Sequence, residues 1–241
     1  MPPLSDRDAA PLLRGALPRL ALAACGGVLL VLGAALVLVG PDGAALSLAL
    51  GGYVAAAGLA LGLMRRGYPH ERLGLCNLVT LVRLTLAAAL LAPLVAPAAP
   101  WAVFFVAAVA LGLDGIDGWL ARREGKVSEF GARFDMEVDS GLALILALNA
   151  WAAGTAGLLV LAIGLPRYVF AAAGAVLPWL RRPAPERFSR KLVCVVQIAT
   201  LIALQLPLVA TSVANPVVAV VAVALAWSFG RDVVWLWRAR S

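Results

Sequence analysis

The sequence predicts an all-α, polytopic integral membrane protein, and three observations carry that expectation. Apolar residues make up 63% of the 241-residue chain and charged residues only 14%, where a soluble domain carries about 45–50% and about 25%. The apolar residues fall in runs of about 20, the length a helix needs to cross a hydrocarbon layer. Lysine and arginine collect in alternate connections between those runs. Mean hydropathy is +0.94, and so much apolar surface excludes a disordered chain. No sustained period-two alternation supports a β-barrel. Backbone polar groups must be paired within lipid, so the runs are expected to be helices.

Eight runs follow in order. The first two cover residues 20–39 and 44–64, with Gly40-Pro41-Asp42-Gly43 as a tight turn between them. A basic loop from Arg65 to Arg72 leads to the third, 76–95, and Trp101 opens the fourth, 101–121. A charged connection from Arg122 to Glu129 precedes the fifth, 131–152, and the sixth covers 155–180. The stretch RRPAPERFSRK separates it from the seventh, 192–212, and Asn215-Pro216 turns the chain into the eighth, ending near Trp237. The short connections at 152–155 and 212–216 read as hairpin turns, with kinks inside buried helices as the alternative. Glycine- and alanine-rich faces suit close helix packing. Trp101, Trp235 and Trp237 read as interfacial anchors.

Orientation follows from the basic residues. Arg7, Arg14 and Arg19 precede the first run; Arg65, Arg66 and Arg72 follow the second; Arg122, Arg123 and Lys126 follow the fourth. Arg181, Arg182, Arg187, Arg190 and Lys191 follow the sixth, and Arg238 and Arg240 follow the eighth. With eight spans all of these fall on one side, which makes both termini cytoplasmic. The formal charge of +7 then reports topology and anionic lipid, with no need for nucleic acid. Cys25, Cys76 and Cys194 form no close metal-binding pair, and the single histidine, His70, leaves no room for a multi-histidine zinc site. His70 reads as a loop residue. The first run lacks a clear cleavage site, so it reads as a span and not as a signal peptide.

Charges inside membrane segments are expensive and mark function by default. Asp114 and Asp117 sit late in the fourth run at i, i+3, and Asp135 and Asp139 sit early in the fifth at i, i+4. Each pair shares a helical face, and the short connection between the two runs lets the pairs meet near the inner surface. Four converging carboxylates repel, and a divalent cation relieves the repulsion. Oxygen-only ligands favour magnesium, manganese or calcium, and two ions about 3.5–4 Å apart can clamp a phosphoryl displacement. Gly115, Gly118, Ala121 and Gly131 leave space beside the acids for a bulky ligand, and Arg122 can reach a phosphate. Glu137 falls off the Asp135–Asp139 face, with Arg133 as its expected partner. Asn77, Thr80 and Arg83 recur at steps of three in the third run and share a face.

Asp114, Asp117-Gly118, Ala121-Arg122, Gly131, Asp135 and Asp139 together read D-x-x-D-G-x-x-A-R, eight residues, G-x-x-x-D-x-x-x-D. This resembles the signature of the CDP-alcohol phosphotransferase (CDP-alcohol phosphatidyltransferase) family at all eight fixed positions. The resemblance implies a six-helix catalytic membrane domain in residues 74–241, preceded by two additional transmembrane helices in residues 1–73, and a homodimer. It implies that a CDP-alcohol donor such as CDP-diacylglycerol gives its phosphoalcohol to an acceptor hydroxyl and releases CMP, in phospholipid synthesis. It implies a two-metal Mg2+ or Mn2+ site on Asp114, Asp117, Asp135 and Asp139, with Asp139 also the base on the acceptor. Gly118, Ala121, Arg122 and Gly131 would line the CDP pocket, framed by Asn77 and Thr80 on the first core helix. Arg167, Arg187, Arg190 and Lys191 are candidates for the acceptor or a lipid phosphate. The alternatives for Arg167 are a pair with Glu137 or a break at Pro166 that exposes it. Gln197 is placed either across helices or in the pocket.

The basic cluster favours an anionic acceptor, with glycerol 3-phosphate or an inositol compound foremost. A small CDP-alcohol donor with a diacylglycerol acceptor stays open. The buried acids also suit a cation-coupled transporter, which calls for inverted repeats, and no clear repeat occurs. The expected location is a bacterial inner or cell membrane with a cytoplasmic active site.

Overall fold

The structure, a computed structural model, describes residues 6–182 and 188–239. All regular structure among them is helical. Helices α1 (Asp6–Val39) and α2 (Gly43–Arg65) are joined by the expected turn, where Asp42 caps α2 by accepting from the Ala45 amide at 2.8 Å. Helix α3 (Leu75–Ala89) leads through a 3-10 turn at Ala92–Leu94 to α4 (Pro100–Arg123), where Pro100 takes the first position and its missing N–H costs nothing. Helix α5 runs Glu129–Ala152. Then come a 3-10 turn at Leu158–Val160, α6 (Leu161–Gly164), α7 (Pro166–Val176), a 3-10 turn at Pro178–Arg181, α8 (Phe188–Ala203) and α9 (Thr211–Arg238).

The chain divides into two compact units inside α5, between Asp139 and Ser140. In the first, α3 packs against α1, α2 and α4. Of the apolar stretch of α3, 67% is buried, against 28%, 28% and 22% for α1, α2 and α4. Helix α3 is therefore the axis of this unit, and the others turn apolar faces outward. That outward surface includes Leu22, Leu29, Val37, Leu59, Trp101 and Phe105, the pattern expected of helices solvated by lipid. The axis is also where polar side chains are hidden: Asn77, Thr80 and Arg83 are each 3% exposed or less.

In the second unit α8 packs against α9, and α9 also contacts α6. The predicted sixth span is broken, with Leu158–Gly164 and Pro166–Val176 meeting at 63°. Pro166 explains the break, since it lacks an N–H and its ring crowds the preceding turn. Gln197 donates to the Ile163 carbonyl at 2.6 Å, so it bonds across to α6. The turn expected at Asn215-Pro216 lies elsewhere. Residues 204–210, with Pro207, leave the helix, and α9 begins at Thr211 with Pro216 inside it. Asn215 instead accepts from the Gly157 amide at 2.8 Å, and Pro216 forfeits a backbone bond only near the helix start.

Among the described residues five helices are long and apolar enough to cross a membrane, or six with the bent pair as one span. The chain is an integral membrane protein. Helix α5 matches α4 in length but carries three acids between Asp135 and Asp139. The apolar part of α8, Leu192–Ala203, is short.

Candidate active site

The α4–α5 connection sets the geometry. Helix α4 ends with the Lys126 amide donating to the Ala121 carbonyl at 3.0 Å and the Gly125 amide to the Arg122 carbonyl at 3.4 Å, a Schellman-type stop. Such a stop needs a left-handed residue, and Gly125 has φ +64°. Helix α5 then starts under Ser128, whose hydroxyl accepts from the Gly131 amide at 3.0 Å. The tight return brings the last turns of α4 alongside the first turns of α5.

Four aspartates converge there on one side chain, Arg83 of α3. Its Nη1 lies 2.6 Å from Asp117 Oδ2 and also bonds Asp135; its Nη2 lies 2.9 Å from Asp114 Oδ1 and also bonds Asp139. Its Nε donates to the Ala110 carbonyl at 3.2 Å. The guanidinium is 1% exposed, and its donors in a planar fork suit several carboxylates at once. Four carboxylates against one guanidinium leave a formal excess of three negative charges.

The acids are not equivalent. Asp117 is 5% exposed, whereas the Asp114, Asp135 and Asp139 side chains are 39%, 37% and 40% exposed. Thr80 Oγ1 sits 3.1 Å from Asp117 Oδ2 and 3.1 Å from the Cys76 carbonyl, so Asp117 is held internally. Asp114, Asp135 and Asp139 each offer an oxygen within 4.8 Å of the others. This cluster of three carboxylates is able to coordinate a metal ion. Its oxygen-only donors suit a hard divalent cation, and the uncompensated charge favours one.

A cavity of about 470 Å³ opens beside the acids. Asn77 and Thr80 line it from α3, Asp117, Gly118, Ala121 and Arg122 from α4, and Gly131 and Asp135 from α5. Gly131 is needed for closeness: a Cβ there would stand 3.1 Å from Ser128 Oγ and 3.3 Å from Asn77 Oδ1. The cavity is mostly apolar-walled with a few convergent polar groups, the usual make-up of a small-molecule site.

Sequence reading did not single out Cys76, Lys126 or Ser128, which also line the cavity, nor the place of Arg83 at the centre of the acids. Serine followed at once by an acidic residue, shortly before an apolar run, was the available helix-start signal for Ser128. Arg167 stands half-buried in the first turn of α7, beside the break at Pro166. Arg190 pairs with the buried Asp232 at 3.2 Å in the second unit. Arg187 lies outside the described residues, and Lys191 is described only in its backbone, within α8. Arg133 donates to Glu129 at 2.6 Å. His70 is half-buried, its ring edge-on to Tyr68 at 5.4 Å.

Compared with known families, the chain matches one sequence model, described as CDP-alcohol phosphatidyltransferase, over residues 73–230, well over half its length. Comparison with curated proteins and with solved structures gives no match.

Proposed function

The chain belongs to the CDP-alcohol phosphatidyltransferase family, and from that premise we propose that it transfers phosphatidyl from CDP-diacylglycerol to an acceptor hydroxyl. The observation that carries the proposal is the meeting of four aspartates from two helices beside a cavity lined by Gly118, Ala121, Arg122 and Gly131. Asp139 takes the acceptor's hydroxyl proton. The acceptor oxygen then bonds to the phosphatidyl phosphorus, the bond from that phosphorus to the CMP oxygen breaks, and CMP leaves with the electron pair. Gly118, Ala121 and Gly131 give the nucleotide room between helices. Arg122 faces a phosphate, and Asn77 and Thr80 frame the base and sugar. Two divalent cations, Mg2+ or Mn2+, held by Asp114, Asp117, Asp135 and Asp139, would neutralise the diphosphate and stabilise the departing oxygens. Arg83 keeps the carboxylates together without cancelling their excess charge.

The membrane arrangement belongs to the same proposal. Helix α5 and α8 join the five long helices and the bent pair to complete eight spans, with residues 1–73 an addition to a catalytic domain of residues 74–241. The start of the family match at residue 73 supports this division. The basic residues of alternate connections support a cytoplasmic site and cytoplasmic termini in a bacterial inner or cell membrane. A homodimer follows from the family alone.

The acceptor is proposed to be anionic, glycerol 3-phosphate or an inositol phosphate, because Arg181, Arg182, Arg187, Arg190 and Lys191 gather positive charge in one connection after the sixth run. An acceptor screen with purified protein, CDP-diacylglycerol and Mg2+, read as CMP release, tests the reaction. Release with one anionic acceptor is expected. Release only from a small CDP-alcohol with diacylglycerol would reverse donor and acceptor, and no release from any CDP-alcohol would overturn the proposal.

A further inference from the structure

The connection between α2 and α3 lies almost wholly ahead of the family match, yet it is fastened to the cavity wall. Tyr68 continues the end of α2, its amide donating to the Met64 carbonyl at 3.2 Å. Its side chain is 5% exposed and meets Phe130 of α5 edge-on at 5.6 Å. Its hydroxyl makes three bonds. It donates to the Arg72 carbonyl and accepts from the Gly74 amide and from Asn77 Nδ2, each at 3.2 Å. Burial pushes the phenol above its ordinary pKa, so it stays a donor at neutral pH, although the bonds from Gly74 and Asn77 pull the other way.

These partners decide how Asn77 points. The single phenol proton is committed to a carbonyl, so toward Asn77 the oxygen can only accept. The amide nitrogen of Asn77 must therefore face Tyr68, which leaves Oδ1 on the side of Gly131, at the cavity wall. We propose that Tyr68 is a positioning residue: from outside the matched segment it fixes the Asn77 amide so that an acceptor oxygen, not a donor nitrogen, meets the bound nucleotide. The proposal rests on the reading of the cavity as the nucleotide site. It also gives the N-terminal helix pair a task, since Tyr68 follows directly on α2 and is tied to its last turn through Met64.

Tyr68→Phe keeps the ring against Phe130 and removes only the hydroxyl. In the full-length protein it should raise the KM for the CDP donor about three- to tenfold, the worth of one hydrogen bond, with kcat little changed. Asn77→Ala should raise the same KM, and adding Tyr68→Phe to it should change nothing further. An unchanged KM, or full additivity of the two substitutions, overturns the proposal. A second readout does not depend on the reaction. Cys76 lines the same wall, so in a Cys25→Ala, Cys194→Ala background maleimide labelling should speed up on Tyr68→Phe. If the parent enzyme releases no CMP, the reaction is refuted and protection of Cys76 from labelling by added CMP decides: protection that Tyr68→Phe weakens upholds the role of Tyr68, and protection that is absent or unchanged removes it.

Discussion

Among the described residues, two assemblies of arginine and aspartate occur, one in each compact unit, and they are built on opposite charge balances. In the first unit, one buried arginine serves four acids from two helices, three of them part-exposed. In the second, Arg190 pairs with one buried acid, Asp232, at 3.2 Å. There the neighbouring Arg231 donates to Ser189 at 2.7 Å and lies over the Trp227 ring at 4.6 Å. The first has a surplus of three negative charges and the second a surplus of one positive. A surplus next to a cavity is what recruits a ligand, and the first assembly, which adjoins one, therefore suits cations. A buried pair is by itself weak evidence for stability, so the balance of charge, and not the presence of the pair, separates the two.

The comparison breaks most easily at Asp139. Asp139→Asn keeps the shape and one accepting oxygen but cannot take a proton. CMP release should fall about 100- to 10,000-fold, with the thermal unfolding temperature in detergent little changed. A variant that turns over at the parent rate would remove Asp139 as the base and leave the acidic assembly a role in metal binding only.

A smaller effect is expected at Arg83. Removing a buried partner leaves the others uncompensated, at a cost of about 3–5 kcal/mol; the lower end applies here, because three of the four acids are more than a third exposed. Arg83→Ala should therefore lower the unfolding temperature of EDTA-treated protein, and Mg2+ should restore more stability to the variant than to the parent. Arg83→Lys should recover little, since one ammonium cannot reproduce the fork. Equal Mg2+ shifts in parent and variant would mean that Arg83 does not govern the charge of the cluster.

Why the sequence disclosed one assembly and hid the other follows from its spacing. Asp114 with Asp117, and Asp135 with Asp139, sit at helical intervals on either side of a short charged connection, and adjacency in the chain became adjacency in space. Long apolar runs disclosed the helices in the same way, because their cause is local. Arg83 was visible only as one polar face of α3. Its place among the acids depends on 30 and more intervening residues folding back, which no local pattern encodes. Asp232 and Arg231 were not singled out within the eighth run, and Tyr68 fell in the basic loop from Arg65 to Arg72. The misplaced turn has a plainer cause: Asn215-Pro216 and Pro207 both carry turn chemistry, and only tertiary packing selects the second.

The finest test separates the second assembly from the first by ligand sign. Arg190 is about one-third exposed and Asp232 nearly buried, so their pair is screened and worth at most about 1 kcal/mol. Asp232→Asn keeps an accepting oxygen beside Arg190 but withdraws the competing charge. If Arg190 binds an anionic acceptor, it is then freer to do so, and the KM for glycerol 3-phosphate should fall about two- to fivefold. The KM for inositol, which has no charge to offer, should not move. Equal changes for both acceptors would mean that the substitution acts through packing of α8 on α9 and that the positive surplus there has no ligand. A fall confined to the charged acceptor would assign Arg190 to the acceptor's negative charge.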